Sequence, residues 1–236
     1  MREIEELPEG DDLMVLASCG YMLNPLITML RSEGIPFHNP YRPTQGAWNP
    51  IGRPRKGVVT VAERLQAYLR PIDADTWWTG PELVLWADML KVDGLLLHGA
   101  KEKLKALPNR GLALSEFSQL FTEQGVNLAC SLKPDWMERY ALSTRQRGLD
   151  YALRIYGKYG LAGLSDEPKI IVGTNHSVKG GQADNVAIFP DLSPQGYEEW
   201  RGAERDSIIR SFYVAGTRTR NSLIFCSLTS ARSVAL

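Results

Sequence analysis

The chain has 236 residues, enough for one large domain or two small ones around a substantial core. Its 44% apolar and 23% charged residues fit a soluble globular protein and exclude a disordered one. The 27 basic and 27 acidic residues cancel, which excludes coating of nucleic acid by bulk charge and leaves a local basic groove open. Cys19, Cys130 and Cys226 are odd in number, far apart and in no C-x-x-C pair. They point away from a disulfide framework or a cysteine zinc site and toward a reducing cytoplasm.

Residues 13–30 carry no formal charge. They include Ser18, Gly20, Asn24 and Pro25 and follow the acidic leader Glu3, Glu5, Glu6, Glu9, Asp11 and Asp12. A membrane span needs denser apolar character, and a signal peptide needs a basic leader, so the expectation is no membrane partner. Instead, 13–17 reads as a short buried strand and the stretch from Asn24 as a helix, with Pro25 tolerated in its first turn. Gly34 is placed to end that helix in a left-handed conformation, and Ile35, Pro36 and Phe37 begin a new extended piece.

Residues 39–57 are crowded with proline and glycine and read as a loop; they also carry Arg42, Arg53, Arg55 and Lys56. From about 58 to 160 the periodicity is helical, with segments at 61–69, 83–90 (capped from Thr79 with Glu82), 101–107, 115–121 and 143–159. After Pro168 the texture returns to strands at 169–172, 185–189 and 222–226 and a helix over 204–214. The pattern predicts an α/β fold with a parallel sheet flanked by helices. It is divided in sequence into 12–40 plus 168–230 and interrupted by a mainly helical inserted subdomain over 41–167.

Stand-alone catalytic signatures are missing. The chain has no G-x-x-x-x-G-K-[ST], no H-E-x-x-H and no G-x-S-x-G, and His38, His98 and His176 form no ligand cluster, so no metal site is expected. Two segments remain. In the first, a buried strand runs into Thr174, Asn175, His176, Ser177, Val178, Lys179, Gly180, Gly181 and Gln182. Its hydroxyls, backbone N–H groups and paired glycines suit phosphate oxygens at the carboxyl edge of a parallel sheet, or make a plain polar connection. In the second, Tyr213, Val214, Ala215, Gly216, Thr217 and Arg218 precede a strand. Arg218 is a permanent fork-shaped cation suited to phosphate, or the solvated end of a helix.

Taken together, Thr174-Asn-His-Ser-Val-Lys-Gly180 resembles motif V (T-x-H-x-x-K-G) of UvrD/Rep-type superfamily 1 DNA helicases. Tyr213-Val-Ala-Gly-Thr-Arg218 resembles their motif VI (Y-V-A-x-T-R), and the opening unit through Gly34-Ile-Pro-Phe37 resembles the start of the same domain. The resemblance covers about residues 13–40 and 168–228 and implies a second RecA-like domain of the P-loop NTPase type. It implies that Arg218 is the arginine finger that reaches the γ-phosphate of ATP. It places Gly180, Gly181 and Gln182 beside the nucleotide and Thr174, His176 and Ser177 on the single-stranded DNA track. The family usually has leucine and glutamate where this chain has Gly181 and Gln182.

The triphosphate loop and the Mg²⁺-binding acidic motif of that family belong to its first RecA-like domain. ATP and Mg²⁺ are therefore expected at an interface with that domain, none is expected on this chain alone, and the isolated chain is not expected to hydrolyse ATP. The chain then reads as the carboxyl-terminal half of a helicase of 3′ to 5′ polarity. The alternative is a non-catalytic DNA- or protein-binding module that keeps the fold. Trp77, Trp78, Trp86 and Trp136 have two readings, core residues or base-stacking platforms, with the core favoured for Trp86 and Trp136; Trp48, in the Pro/Gly loop, fits both. Arg145, Arg147, Arg154 and Lys158 read as a solvated helix face or a duplex-contacting one.

Overall fold

The computed structural model describes residues 10–52, 58–70, 76–226 and 230–234. The leader at 1–9 and the basic residues Arg53, Arg55 and Lys56 lie outside the described residues. The chain divides into two compact units, Met1–Lys56 with Glu167–Leu236, and Gly57–Asp166.

The first unit opens with β1 (Leu13–Ala17), α1 (Asn24–Ser32) and β2 (Phe37–His38). All five residues of β1 are buried. Alternate side chains point to opposite faces, so a strand apolar at every position needs cover on both sides. Met14 and Leu16 pack on one face, and Leu13 and Val15 on the other. Pro25 sits in the first turn of α1. Gly34 ends the helix at φ +61°, where the Gly34 and Ile35 N–H groups donate to the Arg31 and Leu30 carbonyls. The uncharged stretch is thus broken into strand, turn and amphipathic helix. Among the described residues no helix is long and apolar enough to cross a membrane.

The second unit is helical: α2 (Val61–Leu69), α3 (Gly80–Ala87), α4 (Glu123–Cys130) and α5 (Ser143–Tyr159), joined by shorter helical turns. Thr60 and Thr79 each close a capping box, with Glu63 and Glu82. Its core is aromatic. Trp78 and Trp86 are fully buried, their ring centroids 4.9 Å apart, and Tyr68 packs against both. Half-buried Trp136 donates its indole N–H to the Tyr68 hydroxyl at 3.2 Å. Trp86 and Trp136 are therefore core residues. So is Trp48 of the first unit, buried with its ring 3.3 Å from where a Cβ on Gly20 would stand, which removes it as a stacking platform. Arg147, Arg154 and Lys158 are exposed along α5.

The chain re-enters the first unit with β3 (Ile170–Thr174), β4 (Ala183–Ile188), α6 (Pro194–Arg201), α7 (Arg205–Gly216) and β5 (Thr219–Phe225). The fold is α/β, with five parallel strands in the order β2-β3-β1-β4-β5. Helix α7 buries Ile208, Phe212 and Ala215 against the face that holds Met14, Val186 and Ile188. Helix α6 has no counterpart among the segments read from sequence: it is short, its one fully buried residue is Gly196, and Tyr197 and Trp200 alone pack on the sheet core from it. The segment read at 101–107 is a shorter helix, Ala100–Leu104, and that read at 115–121 is a helix, Leu114–Phe117, continued by a 3₁₀ turn, Ser118–Leu120.

Candidate functional site

Parallel register defines two edges of the sheet. Leu13 of β1 lies level with Ile170 and Asn185, and Ala17 lies level with Thr174. Residues 175–182 connect the carboxyl end of β3 to the amino end of β4, crossing β1 without a helix. The expectation that this whole segment sits at the carboxyl edge is therefore corrected: its first half does, and its second half reaches the opposite edge. Val178 is buried in the sheet core and anchors the crossing midway. Gly173 makes the fold-back fit, since a Cβ there would stand 2.5 Å from Ser177 Oγ and 2.6 Å from Asn39 Nδ2.

At the carboxyl edge, Thr174 and Ser177 close the turn on each other. The Thr174 N–H donates to Ser177 Oγ at 2.8 Å, the Ser177 N–H donates to Thr174 Oγ1 at 3.2 Å, and Ser177 Oγ donates to the Thr174 carbonyl at 2.9 Å. Ser177 is only 6% exposed and also accepts from Asn39 Nδ2 at 3.4 Å. Its hydroxyl is spent on the turn and faces inward. His176 is exposed. His176 lines a polar recess of about 170 Å³ with Ser18, Cys19, Ser193, Glu199 and Ser211. Buried Asn175 ties this turn to α7 by donating from Nδ2 to Ser211 Oγ at 3.2 Å.

At the amino edge, the two singled-out segments meet. The Ala183 N–H donates to the Arg218 carbonyl at 3.0 Å. The Arg218 guanidinium donates to the Gly181 carbonyl from Nη1 at 3.3 Å, to the Val214 carbonyl from Nε at 3.0 Å and to Thr217 Oγ1 from Nη2 at 3.1 Å. Arg218 is half-exposed, and among the described residues no carboxylate pairs with it. Gly180 is exposed at φ +87°, and Gln182 is exposed beside it. Gln182 lines a recess of about 390 Å³ with His38, Tyr41, Glu167, Lys169 and Asp184.

No family model and no curated protein matches this chain.

The charges around the recess have definite causes. The Asp184 carboxyl is held below its ordinary range by the Asp12 N–H and by Arg220 Nη1 at 3.2 Å. Burial lowers the His38 imidazole, and Glu167, 3.8 Å away, partly offsets that. Among the described residues no group of three or more His, Cys, Asp or Glu is gathered to hold a metal ion.

Three contributors went unread in sequence. Asn39 and Asn49 are buried and clamp the 39–49 loop. The Asn39 N–H donates to Asn49 Oδ1 at 2.9 Å, and Asn39 Nδ2 donates to the Val172 carbonyl at 2.8 Å. Tyr41, whose N–H donates to Asn39 Oδ1 at 3.0 Å, is set by that clamp over Gly181. The two Asn-Pro steps, Asn39-Pro40 and Asn49-Pro50, are the turn signals that mark the clamp. A further feature is apolar: Ile209, Tyr213, Leu223 and Phe225 are exposed around a groove of about 480 Å³ that reaches Gly216 and Thr217.

Proposed function

We propose that this chain is the second RecA-like half of an ATP-dependent DNA helicase or translocase, completed by a first RecA-like domain that carries the triphosphate loop and Mg²⁺. The single observation that carries this reading is the setting of Arg218. Its guanidinium is half-exposed, bonded only to neutral oxygens and adjacent to the Gly180–Gln182 turn. A cation bonded to neutral acceptors can exchange them for phosphate oxygens, because charge-assisted bonds to phosphate are the stronger ones. Across a closed interface, Arg218 would stabilise charge developing on the transferring phosphoryl group.

The two ends of the 175–182 crossing then have separate tasks. Gly180, Gly181 and Gln182 stand at the nucleotide edge, where the Gln182 amide offers a neutral hydrogen bond to a ribose hydroxyl. Thr174 and His176 stand at the other end of the same short crossing and would follow the backbone of single-stranded DNA. Closure at one end would shift the grip at the other, because one short segment, 175–182, joins the two. The exposed apolar groove beside Thr217 supports a partner lobe on this side, since a contiguous uncovered apolar surface marks a protein contact.

The test is to join this chain to a first RecA-like domain and to measure ATP turnover with single-stranded DNA. Arg218→Ala lowers turnover by about a thousandfold, as removal of an arginine finger does in phosphoryl transfer. Turnover near that of the unaltered protein rejects the motor reading and leaves a binding module.

A further inference from the structure

Gly181 is the point where three otherwise separate pieces of the first unit touch. A Cβ built on it would stand 2.2 Å from both Cζ and the hydroxyl oxygen of Tyr41 and 2.6 Å from Tyr41 Cε2. Those are its three nearest neighbours, so the Tyr41 ring occupies the place that a Cβ at 181 would take. The backbone of Gly181 lies outside the left-handed region, unlike that of Gly180. Glycine at 181 is therefore required by the ring and not by the chain's own conformation. On its other side, the Gly181 carbonyl accepts from Arg218 Nη1 at 3.3 Å.

We infer that Tyr41 is a positioning residue for Arg218, acting through the carbonyl of Gly181. Two consecutive glycines make a turn with much conformational freedom, and a carbonyl on such a turn is a poor anchor unless something packs on it. The Tyr41 ring supplies that packing, and the main chain that carries the ring is itself held from beneath. The Tyr41 N–H is bonded to Asn39 Oδ1, and Asn39 is fully buried and bonded to β3 through the Val172 carbonyl. The chain of support runs from β3 through Asn39 and Tyr41 to Gly181 and then to the guanidinium. It stores Arg218 with Nη1 and Nη2 on two different oxygens, which fixes the plane of the fork before any phosphate arrives. The consequence for turnover rests on the motor reading; the mechanical linkage does not.

The experiment uses the chain as it stands, without nucleotide or partner. Nitrogen-15 NMR reads the rotation of the Arg218 guanidinium about its Nε–Cζ bond, assigned by its loss in Arg218→Lys. Tyr41→Ala is expected to speed that rotation about tenfold, the factor that corresponds to one lost hydrogen bond from a charged donor. Tyr41→Phe keeps the ring and leaves the rotation unchanged. Gly181→Leu alone also speeds it, because leucine and the tyrosine ring cannot share the space. The double variant Tyr41→Ala with Gly181→Leu restores slow rotation, since a leucine side chain then fills the vacated volume. Unchanged rotation in folded Tyr41→Ala overturns the inference. Unchanged rotation in Gly181→Leu overturns it too, and that arm stands if Tyr41→Ala fails to fold. A normal ATPase in Arg218→Ala would sink the motor reading and leave this linkage intact.

Discussion

Arg218 Nη1 donates to the main-chain oxygen of Gly181 at 3.3 Å, joining residues 37 positions apart. The bond exists because β4 and β5 are parallel neighbours whose amino ends lie side by side, Ala183 level with Thr219. It puts the last residue of the Tyr-Val-Ala-Gly-Thr-Arg segment on the turn that ends the Thr-Asn-His-Ser-Val-Lys-Gly segment. Neither segment alone distinguishes a ligand site from a solvated connection. Their adjacency at one sheet edge, with a guanidinium bonded only to neutral oxygens, favours the former.

The turn at 174–177 separates folding from binding. Ser177→Ala leaves the part-buried Thr174 N–H without its acceptor and should cost about 1 kcal/mol of stability, read as a lower urea midpoint. His176→Ala touches an exposed side chain and should leave the midpoint within about 0.5 kcal/mol while weakening single-stranded DNA binding in fluorescence anisotropy. The reverse ranking would remove His176 from the DNA track.

On the motor reading, the apolar groove should matter only when a first RecA-like domain is present. Ile209 is 45% exposed, so Ile209→Asp should fold normally. With the first domain supplied as a separate chain, the same change should weaken association by at least about tenfold, as loss of a buried interface anchor does. Equal affinity for the two proteins, measured by calorimetry, would place the partner elsewhere.

His38 gives stability a pH dependence of known sign. Burial lowers its folded pKa below the ordinary value of 6.5, with Glu167 working against that shift. As pH falls through 6.5 toward the lower folded value, the unfolded chain takes up the proton first. The stabilisation from neutral His38 is thus complete above pH 6.5 and lost on acidification. His38→Gln removes the titrating group, so its urea midpoint should fall less between pH 8 and pH 5 than that of the unaltered protein.

The aromatic core of the second unit should dominate its stability. Trp86 is fully buried against Tyr68, Trp78, Phe121 and Trp136. Trp86→Ala should cost about 3–5 kcal/mol through cavity formation. Its indole N–H is buried without a hydrogen-bond partner, so Trp86→Phe removes an unsatisfied donor and should cost clearly less. Thermal unfolding followed by circular dichroism separates the two.

The amino-acid sequence by itself determined the pieces whose signals are local. Strand Leu13–Ala17, helix Asn24–Ser32, helix Val61–Leu69 and helix Ser143–Tyr159 fall where apolar spacing, Pro25 and Gly34 put them. Each of these signals is carried within a few residues by backbone dihedral preference or side-chain period. Only the tertiary structure decided which way the polar groups of the site face. Ser177 turns inward because Asn39, 138 positions away, meets it beneath the turn. Trp48 joins the core because Gly20 leaves room for its ring. Gly181 is occupied from outside by Tyr41. These are contacts between segments distant in the chain. Their energy depends on shape and on desolvated hydrogen bonds that arise only after the parallel strands have set the register.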